Sequence, residues 1–274
     1  MSAGLKKGLR FLLTCRFDRV WDGIHVRIYR FVWAAIFRLV KPWRCSGRAT
    51  QAVAIDVDAT CRVAFESPDH LAPTGTARDN STNKKFVLHM DEKLHREFGD
   101  QTLRVIDLGC SGGQMVVDFV KLRWIGVGLE GSDYSLKHQR ANWKDYTGKN
   151  LFTADISKPF QVKLDGKPAK FHLITAWEVM EHFATHDLDL VFNNICKHLA
   201  TGGYFIASTT SSPDVQKGIE LHQTKWENAR WREYVEKNFP ELEPVDVGLK
   251  TYQFVRCNFD RPSFLLYRKK NGRA

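Results

Sequence analysis

Acidic and aromatic side chains recur in this 274-residue chain directly after short apolar runs. The first run is Val105-Ile106-Asp107-Leu108, followed by Gly109-Cys110-Ser111-Gly112-Gly113. An apolar strand ends beside Asp107, and a glycine-rich turn opens a helix. Glycine permits the tight turn and lets a ligand lie against the backbone. The second run, Gly126-Val127-Gly128-Leu129, ends in Glu130, whose carboxylate can accept hydrogen bonds from both hydroxyls of a ribose. The third, Thr153-Ala154-Asp155-Ile156, offers Asp155 to an adenine amino group and Ile156 to the ring; a helix N-cap would use Asp155 equally well. The fourth, Thr175-Ala176-Trp177-Glu178, brings Trp177 and Glu178 to the same mouth. Each signal alone also fits a plain turn or a solvated acid. Four successive strand ends suited to an adenosine-type ligand make a joint signal.

A second chemistry needs a group that moves a proton. His222, in Glu220-Leu221-His222-Gln223-Thr224-Lys225-Trp226, is the leading candidate, with Glu181 and His182 of Val179-Met180-Glu181-His182-Phe183 behind it. Imidazole suits proton work, although a surface histidine reads the same way in sequence. Glu181 and His182 fit equally well the capping and packing of a short helix after the fourth strand.

These positions need a scaffold of alternating strands and helices. Strands are expected at Arg104–Leu108, Ile125–Glu130, Leu151–Ala154, Phe171–Ala176 and Tyr204–Ser208. Helices follow the glycine-rich turn through Phe119 and start again near Ser135. Such alternation gives a mainly parallel sheet with helices on both faces. Thr251–Cys257 and Ser263–Tyr267 have no helix-length segment between them, so they read as a hairpin that adds an antiparallel strand. Upstream, residues 4–44 show apolar spacings of three and four, hence one or two helices ending near Lys41-Pro42. Short strands fit 52–57 and 61–65, a loop fits Pro68–Thr82, and a helix fits Asn83–Phe98. Three parts follow: a basic amphipathic extension over 1–48, a lead-in with a polar lid segment over 49–102, and a catalytic domain over 103–274.

The runs DLGCSGG, GLEGS, ADI, ITAWEVMEHF and LATGGYFIAST resemble the class I methyltransferases that use S-adenosylmethionine, over roughly residues 103–210. The resemblance implies a Rossmann-like, mainly parallel seven-stranded α/β sheet with an antiparallel last strand. It implies Asp107, Gly109, Ser111 and Gly113 around the methionine part of S-adenosylmethionine, Glu130 on its ribose, and Asp155 and Ile156 at its adenine, with Trp177 and Glu178 beside them. Ser111 stands where the family usually has a glycine, which makes that backbone contact the weakest part of the match. A nicotinamide dehydrogenase shares the glycine turn and the ribose acid, but its G-x-G-x-x-G pattern fails at Gly109-Cys110-Ser111-Gly112.

Composition bounds the rest. Apolar residues at 43% and charged residues at 26% fit a full globular core. Six scattered cysteines without a CxxC pair give neither a disulfide scaffold nor a zinc site; no metal site and a reducing, cytoplasmic setting are expected. The net charge of +10 is uneven: residues 1–50 carry a balance of +9 and the remainder +1. That asymmetry reads as an attachment surface on the extension for an anionic membrane face, or equally as an apolar stripe packed on the catalytic domain with Arg and Lys stems covering its edge. The seven-residue apolar run Phe31–Phe37 is far below the roughly 20 needed to span a bilayer, and the basic start is cut short by Arg16, Asp18 and Arg19, so no signal peptide is read.

The acceptor is read as a saccharide or lipid-linked saccharide. The polar stretch Gly75–Asn83 could close over the cofactor. His222–Trp231 mixes Trp226 and Trp231 with polar groups, as sugars require. Both resemble bacterial methyltransferases of surface-glycan assembly. A quinone, lipid or other metabolite acceptor is the alternative, and an RNA or protein acceptor a further one. Against nucleic acid, the catalytic part is near neutral and carries no basic groove.

Overall fold

A computed structural model describes residues 17–49, 52–256 and 263–271, with side chains from residue 27 onward in the first helix. Seven strands form the central sheet. Arg104–Leu108 (β2), Ile125–Glu130 (β3), Leu151–Thr153 (β4), Phe171–Trp177 (β7) and Leu199–Thr209 (β8) run parallel. Ser263–Lys269 (β12) lies antiparallel to β8, and Leu242–Pro244 (β11) lies antiparallel to β12. The spatial order is β11-β12-β8-β7-β2-β3-β4. This is the Rossmann-like α/β sheet that the sequence implies. Every residue of β3 is buried, as expected of a parallel strand covered on both faces.

Alternation along β2 shows the two layers. Val105 joins one core with Phe86, Met90 and Phe119, while Ile106 and Leu108 join the other with Phe171, Phe192 and Phe205. Helices Lys84–Phe98 (named α4 below) and Gln114–Lys121 (α5) cover the first face. Leu188–His198 (α8) and Asn228–Asn238 (α9) cover the second. Four short helices accompany them: Pro68–Leu71 (α2) and Thr74–Arg78 (α3) ahead of α4, and Tyr134–Lys137 (α6) and Trp143–Tyr146 (α7) after α5.

Within the basic extension the described residues form a helix over Phe17–Cys45 (α1). It continues past Pro42 instead of ending there, and its last turn carries Arg44, with Arg48 just beyond it. Both guanidiniums reach Asp91 of α4, at 3.2 and 2.7 Å, and Trp124 Nε1 donates to the same carboxylate at 2.8 Å. Phe37 is buried against α4, and Lys85 lies 4.6 Å above the Trp33 ring. The expected helical stretch 4–16 and the side chain of Trp21 lie outside the described residues.

Other expectations are corrected. Residues 61–65 form no strand; their carbonyls and amides bond the strand ends instead, with Asp155 N donating to Cys61 O and Ala64 N to Gly131 O, both at 2.9 Å. The strand of 52–57 is Ile55–Ala59 (β1), paired antiparallel with Phe160–Leu164 (β5), which sequence reading passes over; Lys167–Pro168 (β6) completes that small sheet. The loop of 68–82 contains α2 and α3. The helix expected from Ser135 is split into α6 and α7 by Gln139 and Ala141, both at positive φ. Thr251–Gln253 is a 3-10 turn, so the closing antiparallel pair is β11 with β12; Cys257 lies outside the described residues. β12 has its partner much earlier in sequence because α9 ends at Asn238 and the chain turns at once into β11.

Candidate active site

The carboxyl ends of β2, β3 and β7 open into one cavity of about 900 Å³. Two walls face each other across it. One is the glycine-rich turn with Glu130 and the β4 end. The other is the 3-10 turn Met180–His182 with the hairpin of Val215–Gln216 (β9) and Ile219–Glu220 (β10).

On the first wall Gly109 and Gly113 both take positive φ, 65° and 78°. A Cβ on Gly109 would overlap Val179 Cγ2, so the turn and the fourth strand's end approach closely only because that residue is glycine. Ser111 also takes positive φ, 46°, a conformation costing a non-glycine residue roughly 1 kcal/mol. Its polar atoms offset that cost. The amide donates to Glu130 Oε2 at 2.7 Å, and the carbonyl accepts from Trp143 Nε1 at 2.7 Å. The hydroxyl donates to Asp79 O at 2.8 Å and accepts from Arg140 Nη2 at 2.8 Å. A glycine would keep the turn and lose the link to 76–79. The segment 75–83 does lie over the turn: Asn80 Oδ1 accepts from Gln114 N at 3.0 Å, capping α5, and Arg256 pairs with Asp79 at 2.7 Å. A Cβ on Gly112 would strike Asn80.

The carboxylates of this wall are buried. Asp107 accepts from Thr175 Oγ1 at 2.8 Å, and burial pushes its pKa up to about 8. It stands behind the cavity wall and not on it. Glu130 lines the cavity, and burial pushes it up to about 7 against two backbone donors, Ser111 N and Ser132 N. Asp155 also lines the cavity but closes its own turn, accepting from Ser157 N at 2.9 Å and Ser157 Oγ at 2.7 Å. Ile156 lies beside it. Trp177 and Glu178 line the floor; Glu178 is at positive φ, 55°, with its amide donating to Ser208 O at 3.0 Å. Gly113 is not on the surface of the cavity; it starts α5, and its missing Cβ makes room for Leu151.

On the second wall His182 and His222 meet edge to face, ring centres 4.8 Å apart, and both line the cavity. Glu181 is fully buried behind them. Burial pushes its carboxyl up to about 8, with His182 acting the other way. Burial also disfavours the charged form of His182, but the Asp69 carboxylate 2.6 Å from Nδ1 outweighs it and the pKa rises to about 9. His222 Nδ1 sits 2.5 Å from Ser212 O. Thr224 N donates to Glu181 O at 2.9 Å and Thr224 Oγ1 to Phe183 O at 2.7 Å, so the hairpin is stitched to the 3-10 turn. Glu181, His182 and His222 each offer a ligand atom, all within 4.8 Å of one another. No metal site was expected from the sequence.

Several residues of this site escape sequence reasoning. Asp69, Arg140 and Arg256 come from segments read as loop, helix or strand without a role, and Asn80 from the expected lid without being singled out in it. For Asp69 a signal exists: Ser67-Pro68 is a helix start, and Ser67 Oγ accepts from His70 N. Trp226 and Trp231 do not line the cavity. They pack on one another with ring centres 5.0 Å apart, and Trp231 is fully buried in the core.

The residues present fit an adenosine-type cofactor: backbone laid bare by Gly109, a buried carboxylate at Glu130 and an apolar residue at Ile156 share one cavity. Residues 83–243, more than half of the chain, match the family model described as a methyltransferase domain. An S-adenosylmethionine-dependent methyltransferase from Clostridium acetobutylicum is similar in structure, at 15% identity and a TM-score of 0.50 over 69% of this chain and 92% of that one. The TehB-like methyltransferase from Corynebacterium glutamicum gives 15% identity and 0.47 over 68% and 88%. CalS10, an amino pentose methyltransferase from Micromonospora echinaspora, gives 13% identity and 0.46 over 67% and 90%. The chain belongs to the methyltransferase-domain family, as an enzyme whose cofactor is S-adenosylmethionine.

Proposed function

We propose that the enzyme methylates a hydroxyl oxygen of a saccharide. The observation that carries this reading is the make-up of the second wall. His182, His222, Asp214 and Gln223 present donors and acceptors, while Phe65, 60% exposed, and Phe183 stand at the same cavity. Sugars pair hydroxyls with apolar C–H faces, and such a mixed wall suits both. These aromatics replace Trp226 and Trp231 in the argument.

Glu130 would hold the cofactor's ribose, Asp155 and Ile156 its adenine, and the turn at Gly109 and Ser111 its methionine part, with Asp107 bracing Thr175 behind the wall. Bound there, S-adenosylmethionine would supply an electrophilic methyl group on a sulfonium to the acceptor oxygen. The 75–83 segment, tied down through Ser111 and Asn80, excludes water from that side. His182 and His222 face the acceptor hydroxyl, with Glu181 buried behind them, and His222 eases the loss of its proton. The test is transfer of labelled methyl into fractionated glycans, lipids, RNA and protein. Label in glycan supports the reading; label confined to RNA, protein or a quinone overturns it.

A second reading concerns location. On α1, Ile28, Val32, Leu39 and Trp43 share one face away from the core, with Phe31 at its edge; Phe31, Leu39 and Trp43 are 76%, 77% and 86% exposed. Arg27 and Arg38 are exposed alongside. Among the described residues no helix is long and apolar enough to cross a membrane. A basic helix with one face packed and another apolar face bare fits the surface of an anionic bilayer, where a lipid-linked saccharide would be met. Flotation with phosphatidylserine vesicles tests it. Salt-sensitive binding that Phe31→Ser with Trp43→Ser abolishes is expected; a chain that ignores vesicles removes the membrane from the picture.

A further inference from the structure

We propose that Glu181, His182 and His222 bind a divalent cation of the first transition row on the acceptor wall of the cleft. Each of the three side chains has one polar atom anchored and one left over. His182 Nδ1 lies 2.6 Å from Asp69 Oδ2, and His222 Nδ1 lies 2.5 Å from Ser212 O. Acceptor oxygens at both Nδ1 atoms hold a proton there, so Nε2 is the nitrogen a cation would take on each ring, displacing the second proton of His182 as it binds. Glu181 Oε1 accepts from Thr210 N at 3.1 Å, while its Oε2 is buried without a hydrogen-bond partner. A buried carboxyl oxygen without a partner is costly, and a coordinated cation removes that cost.

The anchors are what metal ligands need behind them. A carboxylate or carbonyl holding the far nitrogen of a histidine orients the ring and raises its basicity. Here the anchors come from two distant places in the chain, Asp69 in α2 and Thr210 with Ser212 just after β8, and converge on one point. Two further carboxylates, Glu178 and Asp214, line the same cavity; Arg256 is shared between Asp79 at 2.7 Å and Glu178 at 3.9 Å. Ligand atoms at about 2.1 Å from one ion lie no more than about 4.2 Å apart. The present spread reaches 4.8 Å, so the set closes by about half an ångström when occupied. Two imidazoles and a carboxylate favour Mn²⁺, Fe²⁺, Co²⁺ or Zn²⁺ over Mg²⁺, which prefers oxygen. Three protein ligands leave coordination positions open toward the cavity. An acceptor hydroxyl bound there gives up its proton to solvent more readily than a free one. That role rests on the saccharide reading above; cation binding itself does not.

Mn²⁺ is the probe, because it ignores free thiols such as Cys61 and is read by electron paramagnetic resonance. The chelator-treated full chain, with no acceptor present, is titrated with Mn²⁺ alone. One ion per chain is expected. His222→Ala, on the hairpin, should weaken binding at least about tenfold, and Asp69→Asn about 10–100-fold, the effect of losing an anchor behind a ligand. Affinity for S-adenosylmethionine should stay within about twofold in both variants, which reports that they are folded. No Mn²⁺ bound at millimolar concentration, or binding that neither substitution weakens, overturns the cation site. Loss of cofactor binding in the unsubstituted chain would overturn the methyltransferase reading instead, so the two failures are separate.

Discussion

The two walls of the cleft are built by opposite means. The cofactor wall takes its residues from successive strand ends, within about fifty residues of one another, and saturates its own polar atoms: Ser111 uses its amide, carbonyl and hydroxyl at once. The acceptor wall draws Asp69, Glu181, Ser212 and His222 from three distant segments and leaves Glu181 Oε2 without a partner. A wall that serves one cofactor can be fixed by local geometry. A wall that must receive a reacting group keeps bonding capacity in reserve.

If that division holds, substitutions on one wall leave the other wall's readout intact. His222→Ala should lower turnover about 10²–10⁴-fold with donor affinity unchanged. Equal turnover would take His222 out of the reaction. Glu130→Ala should cost donor binding about 1.5–3 kcal/mol, roughly 10–150-fold in Kd, because charge-assisted bonds to ribose are lost. Calorimetry measures it, and a preference for a nicotinamide dinucleotide in the parent protein would end the assignment. Gly109→Ala combines a positive φ with overlap at Val179, so it should destabilise by roughly 1–3 kcal/mol and lower Tm by several degrees.

Protons sharpen the comparison further. Burial raises Asp107 to about 8 and Glu130 to about 7. Raised carboxyls stabilise the ligand-free fold fully below the ordinary carboxylate range near 4, and that contribution is lost as pH rises through about 7 and about 8. The ionised Glu130 is the form that accepts two ribose hydroxyls. Donor affinity should therefore strengthen from pH 6 to pH 8.5 by roughly tenfold, as one carboxyl gives up its proton on binding. A flat profile in calorimetry would show that Glu130 binds the donor without changing its charge. Smallest of all, Phe31→Ser and Trp43→Ser on the bare face of α1 should each change stability by no more than about 0.5 kcal/mol. A larger loss in chemical denaturation would mean that this face is covered in the folded protein.

The cofactor wall was readable from sequence for the same reason that it is rigid. An apolar strand followed at once by an acid or a glycine is a local pattern, and parallel strands bring every such end to one edge of the sheet. Asp107, Glu130, Asp155 and Trp177 could thus be gathered without coordinates. Even so, sequence could not separate Glu130 on the cavity from Asp107 behind it, since burial depends on what packs above. Ser111 looked like a weak point; its compensation comes from Asp79 and Trp143, 32 residues away on either side.

Spacing alone determined the alternating strands, the glycine-rich turn, the capped helix after Asn83 and the basic amphipathic character of the N-terminal helix. Those features are set by neighbours within one or two turns or along one strand. Tertiary structure alone decided that α1 packs Phe37 while baring Leu39 and Trp43, that Trp226 and Trp231 belong to the core, and that β11, not the segment at 251–257, pairs with β12. It alone brought Asp69 to His182, and Ser212 to His222. Contacts between residues far apart in sequence depend on how whole layers stack, and no local periodicity carries that information.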